Sequence, residues 1–415
     1  MVAATGSVEV NGREYRLPTR PTVVFTIDGG APAYLEDALE RRLMPRLKML
    51  LANGGACYRG LGCMPSLTNP NNLSIVTGVP PAVHGIPGNH YLDPSGEEVQ
   101  LVDPTFLRAP TIHAVMQRAG ARVLAVTAKD KLRRLLADGN VPSISAERAH
   151  ELSLPAFDIA DLCGLVGHPN PRIYDWDISH YAMEIGLAVH RRVRGLGLLY
   201  VSLTDYVQHK EPPGGEMADK FYRRFDELLG EYLAEGFVIG ITADHGMNAK
   251  QNPDGSPRVH YLEDVLESVG IREYHVVLPI TDPYVLHHGA LGSFAWVYVP
   301  PRGLERAREA FAALDGVEEV FTREEAAAIY EHPADRIGDL SVASDARTAL
   351  GKSRAKHDLS PVESGLRSHG GRHEQIVPII VSRPLAEPYA TRHRIGVRSS
   401  DLHDLLLNGT IGTAS

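Results

Sequence analysis

The sequence predicts an α/β protein: an α/β/α sandwich around a mostly parallel central sheet, with a smaller α+β cap inserted into it. Three observations predict this. Short apolar runs rich in β-branched residues recur without polar alternation, as in strands covered on both faces. Helical patterns fall between them, and strand–helix alternation builds a parallel sheet. One internal stretch, residues 255–365, reads differently and interrupts the pattern.

The elements follow in chain order. "TVVFTI" (22–27) is the first core strand, and "LEDALERRLMPRLKMLLANG" (35–54) reads as one helix stopped by Asn53-Gly54. "RVLAVT" (122–127), "LGLLYVSL" (196–203) and "FVIGIT" (237–242) are further buried strands. "EMADKFYRRFDELLGEYLAEG" (216–236) is a helix that sets Met217, Phe221, Leu228 and Tyr232 near one face. Within 255–365, "YHVVLPI", "FAWVYV" and "VEEVF" predict strands, with "GLERAREAFAAL" a helix between the last two. Residues 345–371 read as a long connecting loop, after which "IVPIIV" (376–381) rejoins the core as another parallel strand. The core is therefore expected over 1–254 and 366–415, without internal repeats.

Bulk properties narrow the function. At 415 residues the chain is too long for one minimal domain, and 43% hydrophobic with 22% charged residues is ordinary for a soluble protein. No apolar run approaches the roughly 20 residues that span a bilayer. The first twenty residues lack an apolar signal segment. Cys57, Cys63 and Cys163 are too few and of the wrong parity for a disulfide framework, which fits a cytoplasmic setting. A net charge of −9 disfavours nucleic acid and anionic membrane as partners. "RRVRG" (191–195) reads as a solvated helix end.

Chemistry gathers where strands stop. "TVVFTI" runs into Asp28; "LLYVSLT" runs into Asp205, with His209 four residues on; "FVIGITA" runs into Asp244-His245; and His369 and His373 precede "IVPIIV". In open α/β sheets ligands bind beyond the carboxyl ends of the strands. A lone Asp at a strand end is ordinarily a helix cap, and a lone His is ordinarily structural. Four such ends converging are the donor set of a dinuclear metal site. "MPSLTNPNNLSIVTG" (64–78) adds Thr68 near a helix N-terminus, where free N–H groups favour phosphate oxygens. Thr68 is either an N-cap or a nucleophile, and its hydroxyl needs a base or metal to become the latter.

Together, Asp28, the Thr68-Asn69-Pro70-Asn71 turn followed by "IVTG", "HGIPGNHYLD" (84–93), Asp205-x-x-x-His209, Asp244-His245-Gly246 and the late His373 resemble the alkaline phosphatase superfamily, in its nucleotide pyrophosphatase/phosphodiesterase branch. The resemblance implies an alkaline-phosphatase-like fold and two Zn2+ ions. It assigns Asp28, Thr68, Asp244 and His245 to one ion, and Asp205, His209 and His373 to the other. It also assigns Asn89 to a nonbridging phosphoryl oxygen. Within the branch, "VTAKDKLRRLL" (126–136) and "DPYVLHHGALGSFAWVYV" (282–299) are similar to the phosphonoacetate hydrolases. That similarity implies a small phosphonate substrate whose carboxylate meets Lys129 and Lys131. Spaced two apart at a loop–helix junction, the two lysines need not both point inward. His287, His288 and Arg367 are looser substrate contacts. The "Cys63-Met64-Pro65-Ser66" stretch resembles the start of a sulfatase motif, but Leu67 stands where that motif needs Arg. The alternative on the same metal core is a phosphodiesterase or nucleotide pyrophosphatase. A homodimer is compatible with the sequence.

Overall fold

The computed structural model describes residues 6–280, 289–362 and 365–411. Its centre is a seven-stranded sheet in the spatial order Ala56–Leu61, Ile376–Val381, Val238–Thr242, Thr22–Thr26, Leu198–Ser202, Val123–Thr127, Ser143–Ser145. Alternate residues of the same strands feed two hydrophobic cores. Val23, Phe25, Leu199, Val201, Ile239 and Ile241 enter one, while Val24, Leu198, Tyr200 and Val238 enter the other. Cover on both faces is why these strands show no polar alternation.

The four strands from Val238–Thr242 to Val123–Thr127 are mutually parallel, and their register sets Thr242, Thr26, Ser202 and Thr127 level across the sheet. The residues just beyond them therefore emerge side by side. Ile376–Val381 departs from expectation, because it runs antiparallel to both of its neighbours. This reversal matters for the site. A reversed strand begins at the edge where the parallel ones end, so the segment before Ile376 is delivered to that edge. Ala56–Leu61 reverses again and sends its own carboxyl end toward Thr68.

The expected 35–54 helix is two helices, Pro32–Glu40 and Pro45–Ala52. Pro45 cannot donate to a preceding turn, and Arg42 in the break takes a left-handed φ of 59°. Glu216–Ala234 forms as expected, burying Phe221, Leu228 and Tyr232, with Met217 packed at the edge of the core. Arg191, in the last turn of Ile178–Val193, pairs with Glu231 and Glu235, so the basic cluster is a solvated helix end bound to its neighbour.

A second, four-stranded antiparallel sheet comprises His275–Val277, Phe294–Tyr298, Leu340–Ser344 and Val317–Thr322, in that spatial order. Its two apolar clusters enclose Leu67 and Met64, so it packs directly on the loop that precedes Thr68. The 345–371 connection is less irregular than expected. Ala349–Gly351 pairs with Val259–Tyr261, and Arg367–Ser368 pairs with Asn248–Ala249. All three cysteines are free thiols. Among the described residues, no helix is long and apolar enough to cross a membrane.

Candidate active site

Among the described residues, two buried groups have donor atoms within 4.8 Å of one another: Asp28, Asp244 and His245; and Asp205, His209 and His369. Each position follows from the sheet. Asp244-His245, Asp28 and Asp205 lie beyond three adjacent parallel strands, and His209 lies on the short helix Tyr206–Lys210 that leaves Asp205. Gly29 lets the strand ends close up. Its φ is 68°, and a Cβ there would stand 3.1 Å from Gln208 Cβ and 3.2 Å from Asp205 Cβ.

The late histidine is His369, which corrects the assignment of His373. The chain turns through Gly370-Gly371 into a tight 3-10 turn at Arg372–Glu374. That turn swings His373 outward, where its Nε2 meets Glu318 at 2.9 Å with the side chain 41% exposed. The signal available in the sequence was the His-Gly pair itself, since His369-Gly370 repeats the pattern of His245-Gly246.

The three inward histidines share one arrangement. His245 Nδ1 lies 2.9 Å from the Gly246 carbonyl, His209 Nδ1 lies 2.7 Å from the Arg367 carbonyl, and His369 Nδ1 lies 2.8 Å from the Ser66 carbonyl. A carbonyl only accepts, so each Nδ1 carries a proton and each Nε2 points inward. There the Nε2 atoms of His245 and His209 face carboxylates. His245 Nε2 is 3.1 Å from Asp28 Oδ1, and His209 Nε2 is 2.8 Å from Asp205 Oδ2. Asp28 Oδ1 is fully buried and, among the described residues, accepts no hydrogen bond. Such contacts are satisfied by a shared proton or a shared metal ion, and backbone-oriented imidazoles beside carboxylates are a fitting donor set for zinc.

The electrostatics describe the same demand. Burial opposes charge on His245, yet Asp244 and Asp28 outweigh it and push the imidazole up to about 9. Burial, with Asp28 next, drives Asp244 well above the usual carboxylate range. Asp205 lies well below that range, because Lys129 and His209 outweigh its burial. Burial, together with His245 and His209, pushes His369 well below the usual imidazole range.

Thr68 is the first residue of helix Thr68–Thr77, with Leu67 in the capping position, so the hydroxyl is not used as an N-cap. Its Oγ1 is 3.5 Å from His245 Nε2. Cys63, of the sulfatase-like stretch, lies outside the helix, and burial first of all pushes its thiol up to about 12. Asn89 accepts the Asn69 N–H at 3.3 Å and donates to the Ile280 carbonyl, which sets its carboxamide beside the start of this helix. Lys129 emerges beyond the next parallel strand, with its ammonium 2.8 Å from Asp205 Oδ1 and 3.5 Å from Asp28 Oδ2. It thus reaches carboxylates of both groups. Lys131 is exposed on the helix that follows. Arg367 donates from Nε to the Gln208 carbonyl at 2.8 Å and from Nη2 to Tyr34 Oη at 3.0 Å, and its own carbonyl orients His209. His287 and His288 lie outside the described residues.

Asn72 went unnoticed in the sequence. Its Nδ2 donates to Asp244 Oδ2 at 3.1 Å and to the Thr68 carbonyl at 2.9 Å. Its Oδ1 accepts the hydroxyls of Tyr200 at 2.6 Å and Ser202 at 2.9 Å. Two incoming hydroxyls fix which end of the amide faces Asp244. Asp244 Oδ1 in turn accepts the N–H groups of His245 and Gly29. The signal lay in the helix itself: Asn69, Asn71, Asn72, Ser74 and Thr77 are all buried, and buried polar groups must be bonded to something specific.

Known proteins resemble this chain over most of its length. Residues 22–373 match the family described as type I phosphodiesterase / nucleotide pyrophosphatase. A crystal structure of phosphonoacetate hydrolase from Sinorhizobium meliloti 1021 in complex with phosphonoacetate superposes with a TM-score of 0.90 at 44% identity, covering 97% of this chain and 99% of that one. The same enzyme in complex with phosphonoformate gives the same values. Murine ectonucleotide pyrophosphatase/phosphodiesterase 5 shares the fold, with a TM-score of 0.63 at 18% identity over 95% of this chain and 97% of that one. An ectonucleotide pyrophosphatase/phosphodiesterase of Caenorhabditis elegans is 34% identical over 90 residues, which span 22% of this chain and 11% of that protein.

Proposed function

The chain belongs to the type I phosphodiesterase / nucleotide pyrophosphatase family, and within it we propose that it hydrolyses the P–C bond of phosphonoacetate to acetate and phosphate. The observation that carries this reading is Lys129. An ammonium set between two carboxylate–imidazole groups suits a substrate bearing a second anionic group beside its phosphorus. The similarity to phosphonoacetate hydrolase over nearly the whole chain supports the same substrate.

Asp28, Asp244 and His245, with Thr68, would hold one zinc ion; Asp205, His209 and His369 would hold the other. Bound there, the two ions would supply positive charge for the phosphonate and lower the pKa of the Thr68 hydroxyl and of a water molecule. Thr68 Oγ1, as alkoxide, attacks phosphorus and forms a phosphothreonine. The P–C bond breaks, and its electron pair passes to the methylene carbon and on into the carboxylate as an enediolate. Lys129 holds that carboxylate and stabilises charge that grows in the transition state. A proton from solvent completes acetate. Water then attacks phosphorus, the P–O bond to Thr68 breaks, and phosphate leaves. Asn89 and the first N–H groups of the Thr68–Thr77 helix hold the phosphoryl oxygens.

The second reading is a phosphodiester or pyrophosphate substrate. The family description favours it, and so does an aromatic pair beside Asp205: Tyr206 and the half-exposed Tyr174, with ring centroids 5.8 Å apart. One assay separates the two. Phosphate release from phosphonoacetate is measured with the zinc-loaded protein, with Thr68→Ala, and with a chelated sample, beside turnover of a dinucleotide. Release that is lost in both controls supports the proposal. Turnover of the dinucleotide alone transfers the function to the second reading.

A further inference from the structure

Lys250 and Glu374 form an ion pair in which both side chains are 0% exposed, with Nζ 2.8 Å from Oε1. A charged pair removed from water has lost its hydration, and a structure retains it only where geometry is repaid by further hydrogen bonds. Further hydrogen bonds hold both ends of the pair. Lys250 Nζ also donates to the Ala346 carbonyl at 3.0 Å. Glu374 Oε1 accepts from Asn248 Nδ2 at 2.5 Å, and Oε2 accepts the Gly371 N–H at 3.0 Å.

The pair joins two segments that carry ligands of different ions. Asn248–Ala249 pairs with Arg367–Ser368, and the Lys250 N–H donates to the Leu366 carbonyl at 2.7 Å. That ribbon closes one end of the 369–374 loop. The Gly246 N–H closes the other by donating to the Glu374 carbonyl at 2.6 Å, and the ion pair spans the enclosed loop. His245 leads into the first segment and His369 opens the second. Their rings stack face to face, with centroids 3.6 Å apart and planes 8° from parallel.

We propose that Lys250 and Glu374 are positioning residues that set the spacing between the two metal sites by holding the His369 loop against the His245 loop. The inference rests on the reading of the two groups as metal sites. The His369 site depends on the pair more than the other does. Asp244 and His245 directly follow a strand of the central sheet, whereas His369 follows the two-residue strand Arg367–Ser368, whose partner Asn248–Ala249 leads straight into Lys250.

The test is stepwise zinc affinity by chelator competition on the full chain. It compares wild type, Lys250→Met and the charge-neutral double variant Lys250→Met/Glu374→Gln, with thermal unfolding measured in parallel. The double variant leaves no buried unpaired charge, so it keeps the question open even where the single variant fails to fold. The expected result is a folded double variant that binds one zinc as wild type does and the second about 10- to 100-fold more weakly, the usual scale for removing a partner that orients metal ligands. A folded double variant that binds both ions with wild-type affinity overturns the proposal. Wild type that fails to bind two ions overturns the metal reading instead, so the two failures are distinguishable.

Discussion

His245 and His369 lie face to face across the candidate site, 3.6 Å between ring centroids, yet each belongs to a different group of donors. The stack places the second imidazole of the Asp205 group at His369 and excludes His373, whose ring is turned out to Glu318. His369→Ala is therefore expected to lose one of two zinc equivalents and most turnover. His373→Ala is expected to retain both ions and activity within about twofold, as surface substitutions ordinarily do. Metal content after dialysis and initial rates check this directly; loss of zinc from the His373 variant alone would restore the original assignment.

Asn72 presents a donor to Asp244 because Tyr200 and Ser202 occupy its oxygen. Asn72→Asp replaces that donor with an acceptor facing a carboxylate. Zinc affinity is expected to fall about 10- to 100-fold, with kcat lowered more than KM is raised, because Asn72 acts through Asp244 and the Thr68 carbonyl. The check is zinc titration together with steady-state kinetics. Unchanged metal affinity with a raised KM would argue for direct substrate contact.

Lys129 meets carboxylates of both groups, and a bound carboxylate substrate would compete for that ammonium. Lys129→Ala is expected to raise KM for phosphonoacetate by about 10- to 100-fold, the scale of one charge-assisted hydrogen bond. The increase for an aryl phosphate ester, which has no carboxylate, should be much smaller. Equal effects on both substrates would remove Lys129 from carboxylate recognition. Lys131→Ala, at an exposed position, provides the comparison.

Glu98 ties the two-stranded ribbon of His90–Leu92 and Glu98–Gln100 to the second sheet through His275 at 3.3 Å and to Lys352 at 2.7 Å. Burial would raise its pKa, but these two partners outweigh it and lower it from 4.5 to about 2. A depressed carboxylate contributes stability that is complete above its unfolded value and is lost as pH falls through its folded one. Glu98→Gln should therefore destabilise the protein by about 1–3 kcal/mol near neutral pH, allowing for partial exposure of the pair. The gap from wild type should narrow as pH drops from 4.5 toward about 2. Urea unfolding across that range checks it; a gap independent of pH would place the effect in packing.

Much of this protein was legible in one dimension. Apolar runs ending in Asp28, Asp205 and Asp244-His245 specify both a sandwiched parallel sheet and the edge where its ligands gather, because hydrophobic cover and strand-end position are local properties of the chain. Thr68 before Pro70 likewise marks a helix start by local stereochemistry. Three features needed the tertiary structure. The direction of Ile376–Val381 depends on its neighbours in the sheet, since an apolar run carries no sign of parallel or antiparallel pairing. The choice of His369 over His373 depends on a turn between them that sends one ring inward and the other to solvent. Asn72, Lys250 and Glu374 act through partners distant in sequence, and a polar residue in an apolar stretch does not disclose which distant group will satisfy it. Spacing along the chain determines what lies at a strand's end; only folding decides which ends, loops and buried charges meet there.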